Sequence, residues 1–337
     1  MERIVGPRFV SLGLAIGLSA CGPVDQTAQA PAFTPTPIFS AQSIGPVEGG
    51  VETLAFAPNA TIPWEGRLLV APSTGGLRVF GIEGKAGAEF SGPIYTSLAV
   101  QPGFSLRKLK ISIALAVSQD GKLAPLIIDD ARGQIFAAPI AGLPEQDVTG
   151  VCPIGSLPAL PKFAITREDG SFELWKIEDT GEELLQAKLE NSGKLAVPTF
   201  GCAASSGKIY AKGKDGGVFF IDQSSRPIID RGVDTTNTQF IAVSPDETLT
   251  YLLASDGVSG TLAQFDQNLV QTGTLSAGAS LSIPPILVPG AMAVSNWSFG
   301  GAGFSAGLLA IVDQSDGRIS LIVRDTLPGF AHDQEVR

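Results

Sequence analysis

The chain has 337 residues and a formal net charge of −10, from 33 Asp and Glu against 23 Lys and Arg. No Lys/Arg-rich stripe is interleaved with aromatic residues, which excludes nucleic acid as an expected partner. Charged residues are only 17% of the chain while Gly reaches 40 and Pro 24, a mixture that suits many short strands and tight turns.

Met1-Glu2-Arg3 through Arg8 form a charged start, and Phe9 to Leu18 (FVSLGLAIGL) form an apolar stretch too short to span a bilayer. With the small residues Ser19-Ala20 after them, residues 1–20 read as an export signal. The tetrad Leu18-Ser19-Ala20-Cys21 resembles the lipobox of bacterial lipoproteins. That resemblance implies that the Cys21 thiol takes a diacylglycerol and becomes the new N-terminus; the alternative is an ordinary secretory peptide with a chance cysteine. Acyl chains contribute about 0.8 kcal/mol per buried methylene, so several chains hold a soluble domain on a membrane. The expected address is the cell envelope, with a membrane as partner through the lipid. Gly22 stands where an inner-membrane retention aspartate would sit, which favours the outer membrane. Residues 21–45 are rich in Pro, Ala, Thr and Gln without strand or helix periodicity and read as a flexible tether. Residues 46–337 remain as one large all-β domain.

In that domain one unit recurs six times: an apolar strand, a Gly-containing turn and a second strand. The copies turn at Gly75-Gly76, Asp120-Gly121, Asp169-Gly170, Asp215-Gly216, Asp256-Gly257 and Asp316-Gly317. An Asp-Gly pair between apolar runs is a strong hairpin signal, because the turn needs a positive φ that glycine adopts without strain. Successive turn aspartates lie 49, 46, 41 and 60 residues apart, and Gly75 precedes Gly121 by 46. Blades of β-propellers run roughly 40 to 50 residues, so the spacing predicts a six-bladed β-propeller of four-stranded antiparallel blades. The hairpins would supply the middle strands of each blade. A two-sheet sandwich with long insertions does not explain the near-even period.

Val151 onward (VCPIG), FAITREDGSFELWKI and the run from Thr199 to Asp222 (TFGCAASSGKIYAKGKDGGVFFID) resemble the middle of the β-propeller phytases, and Leu68 to Lys85 resembles their first blade. The resemblance runs from about Val51 to Arg324 in order and spacing. It implies a six-bladed, calcium-dependent phosphatase acting on inositol hexakisphosphate. The departures fall where that chemistry would sit. Positions that the family fills with acids or basic clamps read here as Gly50-Val51-Glu52-Thr53, Ala99-Val100-Gln101, Lys212-Gly213-Lys214, Gln239-Phe240-Ile241 and Ala291-Met292-Ala293. Calcium takes six to eight oxygens, several of them carboxylate, and Lys212 and Lys214 would repel it. No catalytic or metal-ligating residue is assigned, and no cofactor is expected. Calcium enters only in the alternative reading, a phosphatase whose acids lie elsewhere. The expected role is a non-catalytic binding or scaffolding module whose ligand or protein partner the sequence does not name.

Cys152 and Cys202 occupy equivalent places in consecutive units, where neighbouring inner strands would lie side by side, and export permits a disulfide; two buried free thiols are the alternative. His332, the only histidine, lies in the tail GFAHDQEVR and builds neither a zinc site nor a triad. Asp129-Asp130 reads as a blade-end turn, since adjacent strand residues point to opposite faces.

Overall fold

The computed structural model describes residues 33–154, 160–205, 208–222, 232–233, 238–244, 251–301 and 303–329. The chain divides into Met1–Phe33 and Thr34–Arg337, and every described strand belongs to the second unit. The description below concerns that unit.

Two short strands come first, β1 (Thr36–Phe39) and β2 (Gln42–Ile44). Blade one is β3 (Val51–Ala57), β4 (Arg67–Pro72), β5 (Leu77–Gly81) and β6 (Ala86–Phe90), paired in that order. Blade two is β7 (Tyr95–Leu106), β8 (Leu109–Ser118), β9 (Leu123–Asp129) and β10 (Ile135–Ala137). After the two-residue β11 (Ile140–Ala141), blade three is β12 (Gly150–Pro153), β13 (Lys162–Thr166), β14 (Ser171–Glu178) and β15 (Leu185–Lys194). Blade four is β16 (Thr199–Ser205), β17 (Lys208–Gly213), β18 (Val218–Asp222) and β19 (Gly232–Val233). Blade five is β20 (Phe240–Val243), β21 (Tyr251–Ser255), β22 (Leu262–Asp266) and β23 (Gln271–Gly278). Blade six is β24 (Pro289–Ser295), β25 (Leu308–Asp313) and β26 (Arg318–Val323), with β2 as its outer strand. The inner strands β3, β7, β12, β16, β20 and β24 touch in that order, and β24 returns to β3, so the six blades close a ring. The expected six-bladed propeller is the fold.

The middle strands read as continuous apolar runs because each is buried on both faces. On β4, Leu68 and Val70 face blade six while Leu69 and Ala71 face blade two. On β25, Leu308, Ala310 and Val312 face blade one while Leu309 and Ile311 face blade five. The period of two thus sorts successive apolar side chains into alternate junctions. Each of the six junctions between blades holds its own apolar cluster.

Glycines of the Asp-Gly turns, Gly121, Gly170, Gly216, Gly257 and Gly317, all have φ between 68° and 90°. A second constraint acts at two of them. A Cβ on Gly170 would lie 2.4 Å from the Val197 carbonyl oxygen, and one on Gly317 would lie 2.7 Å from that of Val47. These carbonyls belong to the linkers entering blades four and one. The glycine carbonyls accept from the same linkers, from Leu195 N–H to Gly170 at 2.9 Å and from Val47 N–H to Gly317 at 3.0 Å. These two turns therefore clamp blade three to blade four and blade six to blade one, a role beyond reversing the chain.

Residues 36–44, expected to lie within a tether reaching residue 45, belong to the propeller. Residues 36–44 carry β1, which runs parallel to β23 as a fifth strand of blade five, and β2, which completes blade six. Ile38 and Ile44 are 2% and 1% exposed. A strand added to an existing sheet needs only one well-buried side chain, so no alternating pattern marked it. Blade three also exceeds the expected four strands, because β11 runs parallel to β15.

Candidate functional site

Inner strands begin where the middle-strand hairpins turn: Val51 pairs with Pro72, Tyr95 with Ser118, Gly150 with Thr166 and Pro289 with Asp313. The face carrying these turns is termed the upper face, and the opposite one the lower.

Cys152 on β12 and Cys202 on β16 form a disulfide with Cα atoms 5.6 Å apart, joining the inner strands of blades three and four. The local sequence permits this approach. A Cβ on Gly150 would lie 2.4 Å from the Gly201 Cα, so two side-chain-free residues meet beside the bridge. β16 bulges between Thr199 and Cys202, with Gly201 at φ 130°. Closing a separation of 50 residues stabilises by about 4 kcal/mol on the chain-entropy view. The alternative of two free thiols is thereby removed. Cys21 and His332 lie outside the described residues.

The positions where the phytase resemblance implies acids and clamps hold other chemistry. Ala99, Val100, Ala291 and Met292 are buried apolar side chains packed between blades, and Gln101 is also buried. Lys212 is half-buried and donates to the Gln239 carbonyl at 2.7 Å, crossing from blade four to blade five; burial lowers its ammonium below the ordinary lysine range. Lys214 reaches the other way, 3.2 Å from the Glu168 carboxylate of blade three and 5.3 Å above the Phe200 ring. Among the described residues, no three of His, Cys, Asp and Glu stand together so as to hold a metal ion.

Among the described residues two carboxyls are buried, which the sequence does not signal. Asp313, closing β25, accepts from the amides of Leu287 (3.0 Å), Val288 (3.1 Å) and Ser315 (3.0 Å), from the Ser315 hydroxyl (2.7 Å) and from the Arg318 guanidinium (3.2 Å). Arg318 also donates to the Pro285 carbonyl at 3.0 Å, so the pair ties the linker from blade five to the blade-six hairpin. Burial by itself raises the Asp313 carboxyl, but the donors from Leu287, Ser315 and Val288 outweigh it and hold it below the usual range. Its only sequence signal is an acid ending an otherwise apolar strand. Asp130 is the opposite case. Its Oδ1 accepts from the Ser112 hydroxyl at 2.7 Å and its buried Oδ2 has no partner. Burial raises this carboxyl, and Ser112 and the Arg67 charge offset only part of that. The Asp130 carbonyl accepts from Asn59 and Arg67, both at 2.9 Å, which joins blade two to blade one. Asp129 caps the turn as expected, accepting from the Ala131 amide at 2.9 Å.

No protein-family model matches the chain, and no curated protein matches it significantly. Among solved structures, BBS1N in complex with ARL6DN, soaked with mercury, is similar at 12% identity and a TM-score of 0.50, covering 87% of this chain and 99% of that one. The same complex soaked with lead gives 11% identity and a TM-score of 0.51 over the same shares. At such identity the likeness concerns fold alone, and the fold these chains share is the β-propeller.

Proposed function

We propose that this chain is a phytase-like propeller serving as a non-catalytic binding or scaffolding module at the cell envelope, anchored through a lipid on Cys21. One observation carries the non-catalytic reading: Ala99, Val100, Ala291 and Met292 fill, as buried packing residues, the positions where the resemblance calls for metal-holding acids and phosphate clamps. A site that must converge several carboxylates on calcium cannot be rebuilt from side chains turned into blade junctions. The order of the hairpins and the Gly-Val-Cys and Gly-Cys segments support the phytase-like ancestry. Fold alone does not assign a ligand. Support for a protein partner comes from BBS1N, a propeller of this kind in complex with another protein, ARL6DN.

The anchor and the partner are tested together in intact cells. Wild-type protein is expected in the membrane fraction, labelled by a radioactive fatty acid and crosslinked to a second envelope protein. Cys21→Ser is expected to lose the label and leave the membrane pellet. Full membrane retention of the unlabelled Cys21→Ser protein would contradict the anchor, and absence of any crosslinked product would contradict the scaffold.

A further inference from the structure

β7 and β8 are 12 and 10 residues long, whereas the β3 and β4 pair runs 7 and 6. The extra length projects from the lower face of blade two as a hairpin. Its two-residue turn, Arg107-Lys108, has φ values of 47° and 79°, the twist that suits a tight hairpin. The tip reads Ser105-Leu106-Arg107-Lys108-Leu109-Lys110, and Leu109 is 66% exposed between basic neighbours. Lys108 has no carboxylate partner among the described residues, and Lys110 contacts only the Ser105 hydroxyl there. Arg107 is shared with Asp179 at 3.7 Å and the Glu182 carbonyl.

The upper face contrasts with this. Three of its lysines, Lys122, Lys194 and Lys214, each face a carboxylate, Asp120 at 2.6 Å, Asp169 at 2.8 Å and Glu168 at 3.2 Å, and the half-buried Lys212 is held by the Gln239 carbonyl. Lys108 and Lys110 thus stand without a carboxylate beside the exposed Leu109, while the β14–β15 connector that meets Arg107 brings Asp179, Glu182 and Glu183 to the other side of the tip. Trp64, 69% exposed in the β3–β4 connector, lies on the lower face of blade one.

Chain direction points the same way. Inner strands run from the upper to the lower face, so the outer strands run back upward, and β1 lies parallel to the outer strand β23. The chain therefore enters the propeller from the lower side of blade five. Thr34 lies thirteen positions after Cys21, a reach of up to about 45 Å for an extended chain.

We infer that the β7–β8 hairpin is a second membrane contact, in which Arg107, Lys108 and Lys110 meet anionic lipid headgroups and Leu109 enters the interface. This rests on Cys21 being the anchor, since a lipid anchor is what brings a membrane to this protein. The acyl chains on Cys21 supply one membrane contact, and a basic, apolar patch adds a second that orients the propeller.

The test uses the chain from Gly22 onward, exported behind a leader that is not acylated, so that every strand and the disulfide are retained and no lipid contributes. Cosedimentation is measured with vesicles of phosphatidylglycerol and phosphatidylcholine, and with phosphatidylcholine alone. Binding is expected only to the anionic vesicles and is expected to vanish near 1 M salt, where screening acts within about 3 Å. The triple variant Arg107→Gln, Lys108→Gln, Lys110→Gln is expected to lose at least about tenfold in partitioning. The variant Lys122→Gln, Lys194→Gln, Lys214→Gln, with the same change in net charge, is expected to bind like the parent. Equal melting temperatures of the two triples show that neither is misfolded. Equal losses in both triples, binding indifferent to lipid charge, or no binding would overturn the proposal and leave the hairpin to a protein partner. Acyl labelling of wild type reports separately on Cys21, so the anchor can stand while the hairpin fails.

Discussion

Asp313 accepts five hydrogen bonds from donors on two segments, whereas Asp130 accepts one and leaves its second oxygen bare. The two therefore answer pH in opposite senses. The Asp313 carboxyl is held low, so its contribution to stability is complete above the unfolded pKa near 4 and is lost as pH falls through the lower folded value. Asp313→Asn takes the nearer carboxylate from the buried Arg318 guanidinium, leaving it only Asp316 at 3.7 Å, at an expected cost of about 3 kcal/mol at neutral pH. In denaturant titrations that deficit should shrink below about pH 4, where wild type loses the same contribution. The Asp130 carboxyl is raised, so burying its charged form costs stability at neutral pH, a cost relieved as pH falls. The melting temperature of Asp130→Asn, relative to wild type, should accordingly be more favourable near pH 7 than near pH 4; a constant offset would contradict this account. Neither carboxyl could be recognised in the sequence, because Asp129-Asp130 looks like any turn and the partners of Asp313 at Pro285, Leu287 and Val288 come from another segment. Cys152 and Cys202 were readable because the repeat itself supplied their equivalence.

Strands differ in how much of themselves they show in sequence. The paired middle strands, such as β8 with Ile111, Ile113, Leu115 and Val117 facing one junction and Ala114 and Ala116 the other, carry the apolar runs that reveal the fold. Several inner strands are bulged, at Val51/Thr53 in β3 and Pro289/Met292 in β24, so their alternation is broken. Outer strands such as β10 and β19 span three and two residues and cannot show a period at all. β1 and β2 belong to this last class, and their Pro- and Gln-rich context reads as linker. Their structural role is nonetheless testable. Ile44 closes blade six from the N-terminal side of the chain, and Ile44→Ala should cost about 3 kcal/mol, as for other fully buried isoleucines. Thr34→Ala, outside the strands and exposed, should be neutral within about 0.5 kcal/mol. Equal and negligible effects of both substitutions would return residues 36–44 to the tether.

The closed ring places one apolar cluster at every junction and leaves no blade able to bury its faces alone, which makes the six blades one cooperative body. Closure draws on both ends of the unit, through β2 beside β26, and on the disulfide between blades three and four. Such a body offers two faces and a rim, and the chemistry of those faces decides what it does. Here the positions where the phytase resemblance implies metal ligands and clamps are packing residues or, at Lys212 and Lys214, cations tied to neighbouring blades. The propeller and its blade count were readable from the six turns, whereas the fate of those positions needed the burial of each side chain. The claim that this propeller binds without catalysing is tested most directly by phosphate release from phytate at millimolar calcium, with melting temperature followed in parallel. The expected result is release at the level of the enzyme-free control and a melting temperature unmoved by calcium, since a ligand that does not bind the folded state cannot stabilise it. Phosphate release that requires calcium and stops on addition of a chelator would contradict it.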